Sequence, residues 1–141
     1  SRYTDSEIAE SGNIHVGDNL FLINKFGAAE ATRVTGLTAL EPEAGKALQV
    51  DAEQQSAKET LLTLLAALNS REALSRCQEI HLEDGSYITL RFDGRFDVLL
   101  SWDADFGYKL DCLLAVVDTK LEENEKGTID LTRKEVRFVP G

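Results

Sequence analysis

Four aspartates crowd one short stretch of this chain, Asp93, Asp97, Asp103 and Asp105. Two carboxylates held a few ångströms apart would suit acid–base or glycosidase chemistry. Each has a simpler use: Asp93 precedes Gly94 in a turn signal, and Asp103 or Asp105 opens a helix. No GxSxG elbow, phosphate-cradling loop or HExxH helix accompanies them. His15 falls in a loop and His81 alternates outward on a strand. Neither has a ligand-spaced companion, so no metal and no cofactor are expected. Cys77, at a helix end, and Cys112, within a later helix, lack CxxC spacing and a nearby histidine. They read as small buried apolar residues or as a disulfide. Trp102 follows a strand, where it either covers the core edge or, if exposed, anchors an interface. These residues point to a noncatalytic chain.

Composition narrows the class further. With 141 residues, 43% hydrophobic and 28% charged, the chain can bury a core as one domain or two small ones. A net charge of −10 and a pI near 4.6 disfavour binding to a phosphate backbone, so nucleic acid is not expected as a partner. The longest apolar stretch, Leu61 to Leu68, falls far short of the roughly 20 residues that span a bilayer. The start carries no signal-like segment, which suggests a fragment whose targeting segment was removed.

Thr4-Asp5-Ser6-Glu7 fits a capping box for a helix running to Gly12. Residues 14 to 24 contain two apolar pieces split by Gly17-Asp18-Asn19, and a second helix is expected from Lys25 to Ala31. The opening thus reads as two helices without a strand. Residues 34 to 50 look like a loop broken by Gly36, Pro42 and Gly45. Asp51, with Gln54 at the capping-box position, starts a helix whose Leu61, Leu64, Leu65 and Leu68 share one buried face.

Asp84-Gly85 and Asp93-Gly94 separate three alternating runs, a three-stranded meander. Its inner face takes Ile80 and Leu82, then Ile88, Leu90 and Phe92, then Phe96, Val98 and Leu100. A helix over about Asp103 to Leu121 buries Leu110, Leu113, Leu114, Val117 and Leu121. Glu122 to Gly127 is a polar loop. The closing GTIDLTRKEVRFVPG reads as one irregular strand: the apolar parity switches from Ile129 and Leu131 to Val136 and Phe138, as a bulge would produce. The expected class is α+β, a single antiparallel sheet with helices packed on one face. A late strand of this kind often lies at an edge, where it can accept a strand from another chain.

YTDSEIAESGNIHVGDNLFLINKF, residues 3 to 26, resembles the start of the POTRA domain in the bacterial cell-division protein family FtsQ, called DivIB in many Gram-positive bacteria. TGLTALEPEAGK, the Asp-Gly strand pairs, the YKLDCLLAVV helix and the closing GTIDL are similar to that family's β domain. The resemblance covers nearly the whole chain and implies two parts: partial POTRA helices over residues 1–32, with that domain's strands missing after Thr32, and a β domain over residues 33–141.

The resemblance also implies a role. Family members are single-pass membrane proteins, folded outside the cytoplasmic membrane, and their N-terminal transmembrane helix would lie outside this fragment. They act as noncatalytic divisome scaffolds that bind FtsB (DivIC) and FtsL and help control septal peptidoglycan synthesis. Their partner surface centres on the last strand and nearby basic residues. Carried over, it comprises Arg76, Thr132, Arg133, Lys134, Glu135, Val136, Arg137 and Phe138. Relatives place an Arg and an aromatic residue after the pair matching Asp130-Leu131, where this chain has Thr132 and Arg133. The expected mode is backbone pairing from Arg133 to Phe138, with Arg133, Lys134 and Arg137 attracting acidic partner residues. The same stretch also suits an ordinary edge strand guarded by charge, with Phe138 in the core. The competing functions are a POTRA-type chain-binding or translocation module and a peptidoglycan-directed enzyme.

Overall fold

A computed structural model describes residues 14–16, 20–22, 32–41 and 48–141, the first two stretches as backbone only. The helices expected over residues 4–12 and 25–31 lie outside the described residues. Among the described residues, eight strands form one sheet in chain order. They are β1 (Ile14–Val16), β2 (Leu20–Leu22), β3 (Thr32–Thr35), β4 (Cys77–His81), β5 (Ile88–Phe92), β6 (Phe96–Leu100), β7 (Gly127–Asp130) and β8 (Arg137–Pro140). Helix α1 (Gln55–Ser70) lies between β3 and β4, and α2 (Phe106–Thr119) between β6 and β7.

The class is α+β, with a mixed sheet in place of the antiparallel one expected. β3 runs parallel to β4 and β6 parallel to β7, whereas every other neighbouring pair is antiparallel. The two helices cause this, because a crossover of a dozen or more residues returns the chain to the end where it began. Both crossovers leave strands that point the same way and step in the same direction. The right-handed preference of such units then puts both helices on the same face.

That face holds the core. Leu61, Leu64, Leu65 and Leu68 of α1 and Leu110, Leu113 and Val117 of α2 join Ile80, Ile88, Leu90, Phe92, Phe96, Val98, Leu100 and Ile129 of the sheet in one buried cluster. Leu114 and Leu121 are only partly buried against it. The opposite face is polar. Its register rows are Arg33, Glu79, Arg91, Asp97, Thr128 and Val139, and Thr35, His81, Thr89, Leu99, Asp130 and Arg137.

Several local expectations change. Residues 14–22 supply two short strands where no strand was expected, and the loop expected from residue 34 begins inside β3. The division placed between residues 32 and 33 also falls within β3. Asp51 is extended at the start of a 3-10 turn, Ala52–Gln54, but forms no side-chain cap. Gln54 is used elsewhere: its Oε1 accepts the Thr38 N–H at 2.9 Å and its Nε2 donates to the Gly36 carbonyl at 3.4 Å. Asp105 caps α2 by accepting the Tyr108 N–H at 3.1 Å.

Asp93-Gly94 is the turn that the sequence indicates, with φ of 55° and 68° and the Arg95 N–H on the Phe92 carbonyl at 3.2 Å. Asp84-Gly85 is not, since neither residue has a positive φ. There Asp84 Oδ1 accepts the Ser86 N–H, and its carbonyl accepts the Trp102 indole N–H at 2.8 Å. That bond fixes a half-buried ring over the core edge.

Candidate strand-addition edge

The closing stretch is a hairpin and not a bulged strand. β7 pairs antiparallel with β8, and Ile129 faces Phe138. Facing residues sum to an odd number, so inward positions change from odd to even across the connection. The parity switch that suggested an inserted residue comes from this register.

Among the described residues, β8 is the last strand of the sheet. In an antiparallel ladder, successive residues alternate between bonding to the neighbour and pointing away. The Gly141 N–H donates to the Lys126 carbonyl at 3.1 Å, so Val139 and Arg137 also turn their backbone groups toward β7. Phe138 and Pro140 turn theirs outward. The open edge therefore offers the Phe138 N–H, the Phe138 carbonyl and the Pro140 carbonyl. Pro140 has no N–H to leave unbonded, which suits proline to an edge strand.

The expected partner residues separate into groups. Phe138 is half-buried, and its ring meets that of Phe96 edge to face, with centroids 6.0 Å apart at 83°. Val136 packs partly buried against the core. Thr132, Arg133, Lys134 and Glu135 are exposed in the β7–β8 connection and belong to no strand, so the strand geometry expected along Arg133 to Phe138 is present only from Arg137. Arg133 Nε lies 3.8 Å from Asp130 Oδ2, and its carbonyl accepts Lys109 Nζ at 2.8 Å. Arg137 is exposed on the polar face opposite Asp130. Burial pushes the Asp130 carboxyl up, but the Thr132 hydroxyl and amide, with Arg133 and Arg137 nearby, outweigh it and hold the group below its usual range.

Arg76 does not join them. It immediately precedes β4, four strand positions from β8, or roughly 19 Å at about 4.8 Å per strand. Its guanidinium is engaged by Asp93 at 2.7 Å and Asp118 at 2.8 Å, and lies 4.9 Å from the Phe92 ring centre. These partners tie the β5–β6 turn to the end of α2. The hydrogen bond from Arg76 holds the Asp118 carboxyl below its ordinary range.

This geometry gives Arg76 a structural role. Arg76→Ala should lower stability by about 1 kcal/mol, by thermal or chemical denaturation. Asp118 binds its proton less readily folded than unfolded. Its contribution is thus complete above the unfolded carboxylate range and is lost as pH falls through the lower folded value. The variant should show a shallower loss of stability in acid than the parent.

Three residues outside the expected set share this region: Val139 and Tyr108, both large, apolar and exposed, and Lys109. A proline inside an apparent strand was the available signal for the edge. Tyr108 and Lys109 come from α2, about 25 residues earlier, and nothing in their spacing ties them to the hairpin.

The four aspartates separate as well. Asp93 pairs with Arg76 and Asp97 with Arg91 at 3.2 Å, while Asp105 caps α2. Asp103 lines an open groove of about 280 Å³ with Trp102, Glu59, Thr60 and Thr63. Cys77 ends the short 3-10 helix Leu74–Arg76, as expected of a helix end, and opens β4. Both cysteines are free, and burial pushes the Cys77 thiol up to about 12. Among the described residues, no cluster of His, Cys, Asp and Glu could hold a metal ion, and no helix is long and apolar enough to cross a membrane. Comparison of the chain with protein-family models, curated proteins and solved structures found no match.

Proposed function

We propose that this chain is the extracytoplasmic part of an FtsQ/DivIB-like cell-division scaffold. It takes up an FtsB/DivIC-like partner, together with an FtsL-like one, by strand addition along β8, and so helps control septal peptidoglycan synthesis. On this reading the chain performs no catalysis, and an N-terminal transmembrane helix holds it at the cytoplasmic membrane. The observation that carries the reading is the open edge at Phe138–Pro140, whose outward backbone groups are what an added strand requires. The sequence resemblance supplies the identity of the partners.

Calorimetric titration with the extracytoplasmic segments of FtsB/DivIC-like and FtsL-like proteins tests the proposal. Saturable binding is expected, whereas absence of binding to both, separately and together, would overturn it. The same edge would serve a POTRA-type module that accepts many extended chains. Unrelated strand-forming peptides should therefore fail to compete.

A further inference from the structure

His81 sits in a chain of four groups on the polar face. Its Nε2 lies 2.7 Å from Glu79 Oε1, and its Nδ1 lies 2.8 Å from the Thr35 hydroxyl oxygen. The Thr35 hydroxyl donates to Glu83 Oε1 at 2.5 Å. The chain therefore crosses from β3 to β4 and has a carboxylate at each end. Arg33 and Thr35 face it from β3, and Thr89 and Arg91 from β5, with Arg91 bonded to Asp97 of β6. Besides Glu83, Asp84 and Tyr87 are the titratable groups of the connection that follows β4.

Counting protons decides the state of the imidazole. A threonine hydroxyl has one hydrogen, and here Glu83 accepts it. The contact between Thr35 and Nδ1 is then a hydrogen bond only if Nδ1 carries a proton. Nε2 needs one too, because an ionised carboxylate only accepts. A neutral imidazole has a single N–H and leaves one link of the chain without a hydrogen.

We propose that Glu79, His81, Thr35 and Glu83 form a proton-operated latch that holds β3 against β4 while His81 is imidazolium and loosens when that proton leaves. The position gives the latch a consequence. β3 pairs with β4 over three register positions, and among the described residues β1 and β2 reach the rest of the sheet only through β3. Burial pushes the Glu83 carboxyl up, but the Thr35 hydroxyl, the amides of Glu83 and Leu82 and the charge on His81 outweigh it and hold the group below its usual range. The latch is closed while His81 carries its proton and opens when that proton leaves.

Amide hydrogen exchange of Thr32–Thr35, expressed as protection over the unfolded rate, tests this on the intact chain between about pH 5 and 8. Protection should fall about tenfold as pH rises. Glu83→Gln should abolish that fall and keep the higher protection. A glutamine N–H₂ can donate to the Thr35 oxygen, which frees the hydroxyl hydrogen for neutral Nδ1. Nitrogen chemical shifts of the His81 ring, assigned with a His15→Gln variant, should show both nitrogens protonated at the acid end. A ring already neutral at that end, or β3 protection that does not change with pH in the parent, would overturn the proposal.

Discussion

Gly127→Ala is expected to detach the β8 end of the sheet. Gly127 has φ of +147°, a conformation almost restricted to glycine, and an added Cβ would sit 2.2 Å from the Val139 carbonyl oxygen and 2.8 Å from the Gly141 nitrogen. Both close atoms are backbone, so no side-chain rotation relieves the overlap. β7 is held on its other side by the parallel β6, where the Gly127 N–H donates to the Arg95 carbonyl at 3.1 Å. The strand free to move is β8. The substitution should cost about 3 kcal/mol in chemical denaturation, combining backbone strain with lost ladder bonds. Exchange of the Val139 and Gly141 amides should accelerate, while the β4–β6 meander keeps its protection. An alanine variant with unchanged stability and unchanged exchange at Val139 would contradict this geometry. If β8 is the partner edge, the same variant also loses partner binding.

The second large effect is at the centre of the sheet. Phe96 is fully buried, its ring meets Phe138 edge to face, and the Arg95 guanidinium lies 4.5 Å from its centre. Phe96→Ala removes a large side chain from a closed site between β5 and β7, and should cost about 4 kcal/mol. Against the 5–15 kcal/mol typical of a domain, that brings the chain close to unfolding. Phe138→Ala removes a ring that is only half-buried and should cost less, about 2 kcal/mol. Because the rings touch, the double variant should lose about 1 kcal/mol less than the sum of the two. Strict additivity in urea denaturation would show that the contact carries no coupling. A Phe96→Ala cost below about 1 kcal/mol would contradict its placement in the core.

Where the sequence pattern was long and apolar, it announced the structure. Ile88, Leu90 and Phe92 alternate over a full strand, and the four leucines of α1 repeat over two turns, so burial follows directly from period. The edges of the sheet were harder to read. β1 and β2 are three residues each, too short to establish a period. β3 begins with Thr32, a polar residue buried to 2% exposure because its hydroxyl donates to the Cys77 carbonyl at 2.8 Å. A buried hydroxyl satisfied by a residue far along the chain breaks the binary pattern without breaking the strand.

The hairpin signal at the other edge was visible as a parity switch. That switch alone did not separate an inserted residue in one strand from a turn between two. The site was legible only to the extent that its last strand was. Arg76 was included through the family resemblance, but pairing with Asp93 and Asp118 depends on where α2 ends relative to the β5–β6 turn. Spacing along the chain carries no information about that distance. Pro140 fits this edge, because a missing N–H is tolerated where no neighbouring strand asks for it.

Strand addition along β8 makes a claim about one hydrogen. The Phe138 N–H points away from β7, while the Arg137 and Val139 amides are already engaged with it. Residue-resolved amide exchange with and without a saturating FtsB/DivIC-like partner reads all three. Slowing of Phe138 by about a hundredfold, with Arg137 and Val139 changed far less, is the expected result. A partner that binds tightly while the Phe138 amide exchanges as in the free chain would contradict strand addition at this edge.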